Sequence, residues 1–286
     1  MSGSIQYRRF TQADIDAAHA LTIEMKWPHR AEDWQFVAKI GAGFVAERDS
    51  RVIGTVLCWK YGATTSSVGM IIVSPAHQGL GIGRRLTEMA LEELGPRATV
   101  LHATEAGRPL YEKLGFGPIG TLDQHQGIAL QPPLVELPAR ERLRPLGVND
   151  TPRLIELASR ASGLDRTSVL PPLLDAAEGI GLARDGELIG FALFRRFGRG
   201  RAIGPVVAPR DDDPVRAKAL IGHWLALNPG MFIRIDTPSE SGLTQWLESL
   251  GLARVDSVVK MARNAEQMPP PDEAFAQYGI INQAIG

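Results

Sequence analysis

The sequence predicts an α/β fold in which a mixed sheet flanked by helices is built twice along one chain. Three observations predict it. Short apolar runs rich in β-branched residues end at turn-forming pairs, as strands do. Between them lie segments whose apolar residues recur at helical spacing. The order of these segments then repeats after a proline-rich stretch, Gln131 to Pro138. With 286 residues, 44% apolar and 22% charged, the chain has ordinary globular composition and enough length for two cores.

The first predicted helix follows Thr11, which can cap it, with Asp14 three residues on as a weak capping box, and shows Ile15, Ala18, Leu21 and Ile23 as its apolar face. A loop with Trp27, Pro28 and His29 comes next. Gly43 to Glu47 and Val52 to Trp59 read as a hairpin around Arg48-Asp49-Ser50-Arg51, and Val68 to Val73 as a strand ending at Ser74-Pro75. Gly79, Gly81 and Gly83 form a turn into a helix with Leu86, Met89, Ala90 and Leu94 on one face, stopped by Gly95-Pro96. A strand over Ala98 to Ala103 and a short helix over Pro109 to Leu114, closed by Gly115, complete the first half.

In the second half, Arg144-Pro145-Leu146 stands where Arg8-Arg9-Phe10 ends an opening strand. A helix from about Asp150-Thr151-Pro152, a hairpin with its turn at Asp185-Gly186 and a strand over Ala202 to Ala208 follow. A helix over Pro214 to Leu227, a strand over Phe232 to Asp236, a helix over Leu243 to Leu250 and a strand over Val255 to Met261 come next. Leu250-Gly251-Leu252 matches Leu114-Gly115-Phe116, as a duplicated unit requires. Pro269-Pro270-Pro271 reads as a spacer and Tyr278 to Ile281 as a last short strand. The domains expected are 1–130 and 141–286, with a linker over 131–140.

Several function classes are disfavoured. A net charge of −1 gives no basic face for nucleic acid. No apolar run approaches the roughly 20 residues that span a bilayer. Met1 to Gln6 lacks a basic start followed by an apolar stretch, so a cytoplasmic location is the expectation. The lone cysteine, Cys58, lies within Val56-Leu57-Cys58-Trp59 and reads as a buried small apolar residue; no Cys/His cluster has metal-ligand spacing.

The chemistry concentrates in Val73-Ser-Pro-Ala-His-Gln78-Gly79-Leu80-Gly81-Ile82-Gly83-Arg84-Arg85. A strand ends, a glycine-dense turn follows and a helix begins. Glycine permits positive φ and close approach of a ligand. The first helical amides have no internal partner and stand at the positive end of the dipole, which suits a phosphate or pyrophosphate. The Walker pattern fails because Gly83 precedes Arg84-Arg85 rather than Lys-Ser/Thr. The dinucleotide fingerprint fails because its third glycine is replaced by Arg84.

Gln78, Gly81 and Gly83 fit the Gln/Arg-x-x-Gly-x-Gly/Ala pattern of the GNAT acetyltransferase superfamily, and Gly107-Arg-Pro-Leu-Tyr111-Glu-Lys-Leu-Gly-Phe116 resembles the family's last motif at the expected distance. The chain also resembles bacterial tandem-GNAT proteins, in which an active first domain precedes a diverged second one; Gly163-Leu164-Asp165-Arg166 and the C-terminal Tyr-Gly-Ile-Ile are similar to that subgroup. The resemblance implies mostly antiparallel twisted sheets and acetyl-CoA as acyl donor. Its pantetheine would pair with Ile71, Ile72 and Val73, and its pyrophosphate would be held by the amides of Gly79, Leu80, Gly81, Ile82, Gly83 and Arg84. Thr104 replaces the Asn with which many members contact the cofactor. Tyr111 stands at the general acid's position; a phenol near pKa 10 suits protonation of a departing thiolate. The alternative for Tyr111 is an aromatic that fills the core. A central-strand amide near Ile72 or Val73 would donate to the oxyanion.

The family's frequent glutamate base is Thr99 here, which cannot serve. By the same resemblance, Glu24, His29, Glu32 and Asp33 lie in the loop region that commonly lines the acceptor pocket in the family, and His29, beside Trp27 and Pro28, is the best candidate among them; a water chain could replace a base altogether. His77 is expected on the surface. In the second half Arg210-Asp211-Asp212-Asp213-Pro214 replaces the phosphate turn, and three carboxylates would repel a pyrophosphate. That half would complete the acceptor pocket or form a homodimer; Asp165 and Arg166 either face that pocket or, as is expected, form a surface ion pair worth little. The implied reaction is acetyl transfer to a small-molecule primary amine. A non-catalytic acyl-CoA-binding regulator and a protein acetyltransferase are the alternatives.

Overall fold

The computed structural model describes residues 4–270 and 272–286. Met1 to Gly3 and Pro271 of the expected spacer lie outside the described residues. The first half runs β1 (Gln6–Arg9), α1 (Ile15–Glu24), α2 (Ala31–Lys39), β2 (Ala42–Arg48), β3 (Arg51–Tyr61), β4 (Thr65–Val73), α3 (Ile82–Leu94), β5 (Ala98–Ala103), α4 (Arg108–Lys113) and β6 (Gly117–Ile128). The second runs β7 (Glu141–Pro145), α5 (Thr151–Ser162), α6 (Leu170–Leu174), β8 (Glu178–Arg184), β9 (Glu187–Phe197), β10 (Gly200–Pro209), α7 (Val215–Leu227), β11 (Phe232–Pro238), α8 (Thr244–Ser249), β12 (Ala253–Arg263) and β13 (Phe275–Gly279). Residues 129–138 between the halves carry no regular element.

Element for element, β1 to β6 correspond to β7 to β12, yet the halves do not close separately. All thirteen strands form one sheet ordered β1-β2-β3-β4-β5-β12-β6-β11-β10-β9-β8-β7, with β13 beside β10. Each half therefore lends its last strand to the other: β12 pairs with β5, and β6 with β11. The pair β6/β12 forms the seam between the halves. The duplication is also visible at the strand ends. Arg8 grips Asp14 with two nitrogens at 2.8 Å each, and Arg144 grips Asp150 at 2.7 and 2.8 Å. The same carboxylates accept the Thr11 and Gly147 amides.

Local chemistry explains most elements. The two-residue turns Asp49-Ser50 and Asp185-Gly186 have φ of 51°, 59°, 53° and 90°, the positive values that match hairpin twist. In α3, Ile82, Leu86, Ala90 and Leu94 recur every four residues and are buried against β3 and β4; Leu86, with no exposure, contributes about 1.5–3 kcal/mol by burial. β3 and β9 are buried on both faces over most of their length, so they lack alternation and read as continuous apolar runs.

Four expectations need correction. Ile23 is 62% exposed, because it follows Leu21 by two residues and two steps turn a helix about 200°. The loop after Trp27 contains a full helix, α2, whose start is capped by the Asp33 carboxylate on the Arg30 amide at 2.9 Å. β6 and α6 were not evident in the sequence. The last strand is Phe275–Gly279; Ile280 and Ile281 lead instead into a turn. No helix among the described residues is long and apolar enough to cross a membrane.

Candidate active site

The glycine-dense corner lies between β4 and α3. Ser74 N–H donates to Ile53 O on the β3 side, and Gln78 Nε2 donates to Val73 O on the opposite side. Gly79 and Gly81 have φ of +80° and +77°, and a Cβ on either would meet no atom within 4 Å. Only glycine adopts such φ without strain, and the space beside both is open. Gly81 caps α3 with no side-chain partner, and the corner's first helical bond runs from Arg85 N–H to Gly81 O. The amides from Gly79 to Arg84 therefore lack helical acceptors, whereas those of His77 and Gln78 close a short turn on Ser74 O and Pro75 O. Gly83 lies inside the first turn of α3, and Ile82, 1% exposed, anchors it. Leu80 is exposed. Arg84 turns along its helix to Glu88 at 2.8 Å, and Arg85 to Glu92 at 3.5 Å.

Strands β4 and β5 pair only at Thr65–Ser67 with Ala98–Val100, then splay. The pairing of β4 with β3 slips between Leu57↔Gly69 and Thr55↔Ile72, a bulge with Met70 at φ +51°. Thr55 Oγ1 donates to Met70 O at 2.9 Å across the β3 side. Since backbone groups alternate sides along a strand, the N–H groups of Ile71 and Val73 face the open edge, and that of Ile72 faces β3.

At the wide end of the splay is a cavity of about 180 Å³ lined by Trp27, His29, Met70, His102, Thr104, Tyr111, Gln124, Arg234 and Asn282, among others. Both halves contribute. Tyr111 comes from α4, packs edge-on against Phe116 at 6.2 Å and is buried; burial pushes its phenol up to about 12. Gly107 packs closely beside it; a Cβ there would stand 3.0 Å from the ring. Thr104 caps α4, its carbonyl accepting the Gly107 and Arg108 amides and its Oγ1 the Gly107 amide at 3.3 Å. His29 packs against Trp27 at 5.8 Å and edge-on against Phe197 at 5.3 Å. Its Nδ1 is buried without a partner. Burial, aided by Arg234, pushes it down to about 4, so the ring is neutral at pH 7.

The other base candidates lie elsewhere. Glu24 and Glu32 are exposed, and Asp33 is spent on Arg30 and the Gly198 amide. Thr99 is buried against Ser66 Oγ at 2.9 Å. His77 is half-buried, with Nδ1 secluded, rather than at the surface. Cys58 is buried and its thiol is pushed up to about 12. Sequence reading missed His102, Gln124, Arg234 and Asn282; only the position of His102 near the end of an apolar strand offered a signal.

Two matches to the acetyltransferase (GNAT) domain family cover residues 39–118 and 154–278. An uncharacterized N-acetyltransferase, YitH, of Bacillus subtilis (strain 168) is 30% identical over 246 residues, 82% of this chain and 81% of that protein. The chain belongs to the GNAT acetyltransferase family. The mycothiol acetyltransferase of Thermomonospora curvata is 38% identical over 110 residues, 36% of each chain. Among solved structures, a tandem GNAT protein from the clavulanic acid biosynthesis pathway shares the fold with a TM-score of 0.63 at 16% identity, covering 94% of this chain and 100% of that one.

The second GNAT domain repeats the splay and fills it. β10 pairs with β11 only at Arg201↔Ile233 and Ala202↔Arg234. Beyond a register slip in its pairing with β9, its edge over Val206–Pro209 is taken by β13. At the corner, Asp211 pairs with Arg216, and Asp213 with Lys218 at 2.6 Å. Tyr278 of β13 closes it, its hydroxyl donating to Pro209 O and accepting the Asp211 amide, both at 3.3 Å. The expected surface pair Asp165–Arg166 does not form. Asp165 is exposed and accepts the Thr167 amide. Arg166 is 1% exposed, lies over the Tyr61 ring at 5.2 Å and donates to Ile285 O and Gly286 O at 2.7 and 2.9 Å.

Proposed function

We propose that this GNAT enzyme transfers an acetyl group from acetyl-CoA to a primary amine of a small molecule in the cytoplasm, with residues 1–130 holding the donor and residues 141–286, joined through 131–140, walling the acceptor. The observation that carries the reading is the strand-free edge of β4, followed after one short turn over Pro75–His77 by the bare amides of the α3 corner. Acetyl-CoA supplies the activated thioester. Ile71 and Val73 would hold its pantetheine arm by strand-like pairing, and the amides from Gly79 to Arg84 its pyrophosphate. With the Ile72 amide turned to β3, the Ile71 amide beside the bulge at Met70, rather than that of Ile72, would donate to the carbonyl oxygen. Tyr111 holds the proton for the departing sulfur, and its raised pKa keeps that proton in place at neutral pH.

The small cavity built from both halves supports a small acceptor over a polypeptide, which needs an open groove. The fit of β13 into the second splay supports one donor site per chain. Thiol release from acetyl-CoA with a panel of amino acids, polyamines, amino sugars and short peptides tests the reading. It expects turnover with at least one small amine and none that depends on peptide length; peptide-only turnover contradicts it.

A further inference from the structure

The active cavity holds a second histidine, His102, which no motif marks. β5 carries it near the end of its run, where β4 has already splayed away. Its Nδ1 lies 2.8 Å from Gln283 O. A carbonyl can only accept, so Nδ1 carries the hydrogen and Nε2 keeps the lone pair. Nε2 is buried and has no partner among the described residues. The ring lines both the cavity that holds Tyr111 and a larger adjoining one of about 620 Å³.

The carbonyl that fixes this tautomer belongs to a firmly tied segment. Asn282 Oδ1 accepts the Ala284 and Ile285 amides. Ser67 Oγ donates to Ala284 O, and Tyr61 Oη and Arg166 both donate to Ile285 O. The segment presses so closely on β4 that a Cβ on Gly69 would lie 2.9 Å from Ala284 Cα. The buried cation Arg166, the hydroxyls of Tyr61 and Ser67 and the close approach at Gly69 thus converge on the segment that holds the Gln283 carbonyl against the imidazole.

Building on the acetyl-transfer reading, we propose that His102 is the proton acceptor of the reaction and that residues 282–286 set its tautomer. The acceptor nitrogen's lone pair forms the C–N bond while the C–S pair leaves with sulfur. The proton lost by nitrogen goes to Nε2 of His102, and sulfur takes one from Tyr111. A proton returned from His102 to Tyr111, directly or through solvent, restores both. Burial pushes the imidazole down to about 4, outweighing the Gln283 carbonyl bond and the Asp236 anion on β11, which favour the charged form; the cations Lys260 on β12 and Arg166 push the same way as burial, so the ring is neutral at pH 7.

The test compares the wild-type chain with His102→Gln, which keeps the volume, and His102→Ala, each checked for folding by circular dichroism. Thiol release from acetyl-CoA is measured with water alone and with the best amine of the panel. The proposal expects kcat to fall about 10²–10⁴-fold in both variants, an unchanged KM for acetyl-CoA, and partial rescue of the alanine variant by added imidazole. It also expects nitrogen NMR of the full chain to show the Nδ1–H tautomer, neutral between pH 8 and 5. Folded variants that bind acetyl-CoA and keep kcat within about twofold overturn it, as does an Nε2–H tautomer. A wild-type chain that fails to bind acetyl-CoA overturns the donor reading itself, whereas normal wild-type turnover with indifferent variants overturns only the role of His102.

Discussion

The splay between β4 and β5 and the splay between β10 and β11 are the same device with opposite contents. In the first, the edge over Ile71 to Val73 has no strand paired to it, only the Gln78 side chain on Val73 O, and the turn beyond it carries glycines with empty space beside them. In the second, the corresponding edge is paired with β13, and the corner carries carboxylates neutralised by Arg216 and Lys218. The three acidic residues alone argued for loss of anion binding there. The structure adds a stronger reason: the slot where an extended ligand arm would pair already holds a strand of the same chain. A duplicated unit can thus keep its fold while one copy leaves a strand edge unpaired and the other covers it with its own chain.

The most severe way to break the comparison is to separate the halves. Residues 1–130 alone would lose β12 from between β5 and β6 and expose unpaired strand edges. They are expected to be aggregated or unfolded in circular dichroism and size-exclusion measurements, and a folded monomer would contradict the shared sheet. Next in size is Gly81→Asp, which copies the second corner into the first. It combines a strained φ with a like charge at the diphosphate site, and should weaken acetyl-CoA binding at least about 100-fold by calorimetry while leaving the fold intact. Tyr111→Phe should lower kcat by about 10²–10⁴-fold without changing acetyl-CoA affinity, since it removes a proton and no binding contact.

The part of this contrast that was legible in the sequence was local. Positive φ at Gly79 and Gly81, bare helix amides and a phenol on α4 follow from residues within a few positions of one another. So do the hairpin turns at Asp49-Ser50 and Asp185-Gly186. What was not legible depends on chain segments far apart. β6, Gly-Pro-Ile-Gly-Thr-Leu-Asp-Gln-His-Gln-Gly-Ile, has the composition of a loop and becomes a strand because β11 and β12 pair with it. Arg166 reads as a surface cation until residues 282–286 fold over it. His102 has no motif because its tautomer is fixed by a carbonyl 181 positions away. Glycines inside strands, such as Gly69, were the available hint of close approach.

Smaller effects sharpen the comparison through pH. His29 and His102 are held near 4 when folded and titrate near 6.5 when unfolded. Between those values the unfolded chain binds protons the folded one does not, so stability should fall as pH drops from about 6.5 to 4 in denaturant titrations. Below that window Asp150, held at about 2 by Arg144 and the Gly147 amide, contributes stability that is present above its unfolded value of 3.8 and lost as pH falls toward 2. After discounting for solvent screening this is about 1 kcal/mol. Asp150→Asn should flatten that segment of the profile and leave acetyl-CoA binding unchanged.

Calorimetric titration of the full chain with acetyl-CoA tests the central claim most directly. The account predicts one site per chain, weakened at least about 100-fold by Gly81→Asp and neither doubled nor relocated when Asp211, Asp212 and Asp213 are all replaced by glycine. Two sites in the wild-type chain, or affinity undiminished by Gly81→Asp, would contradict it.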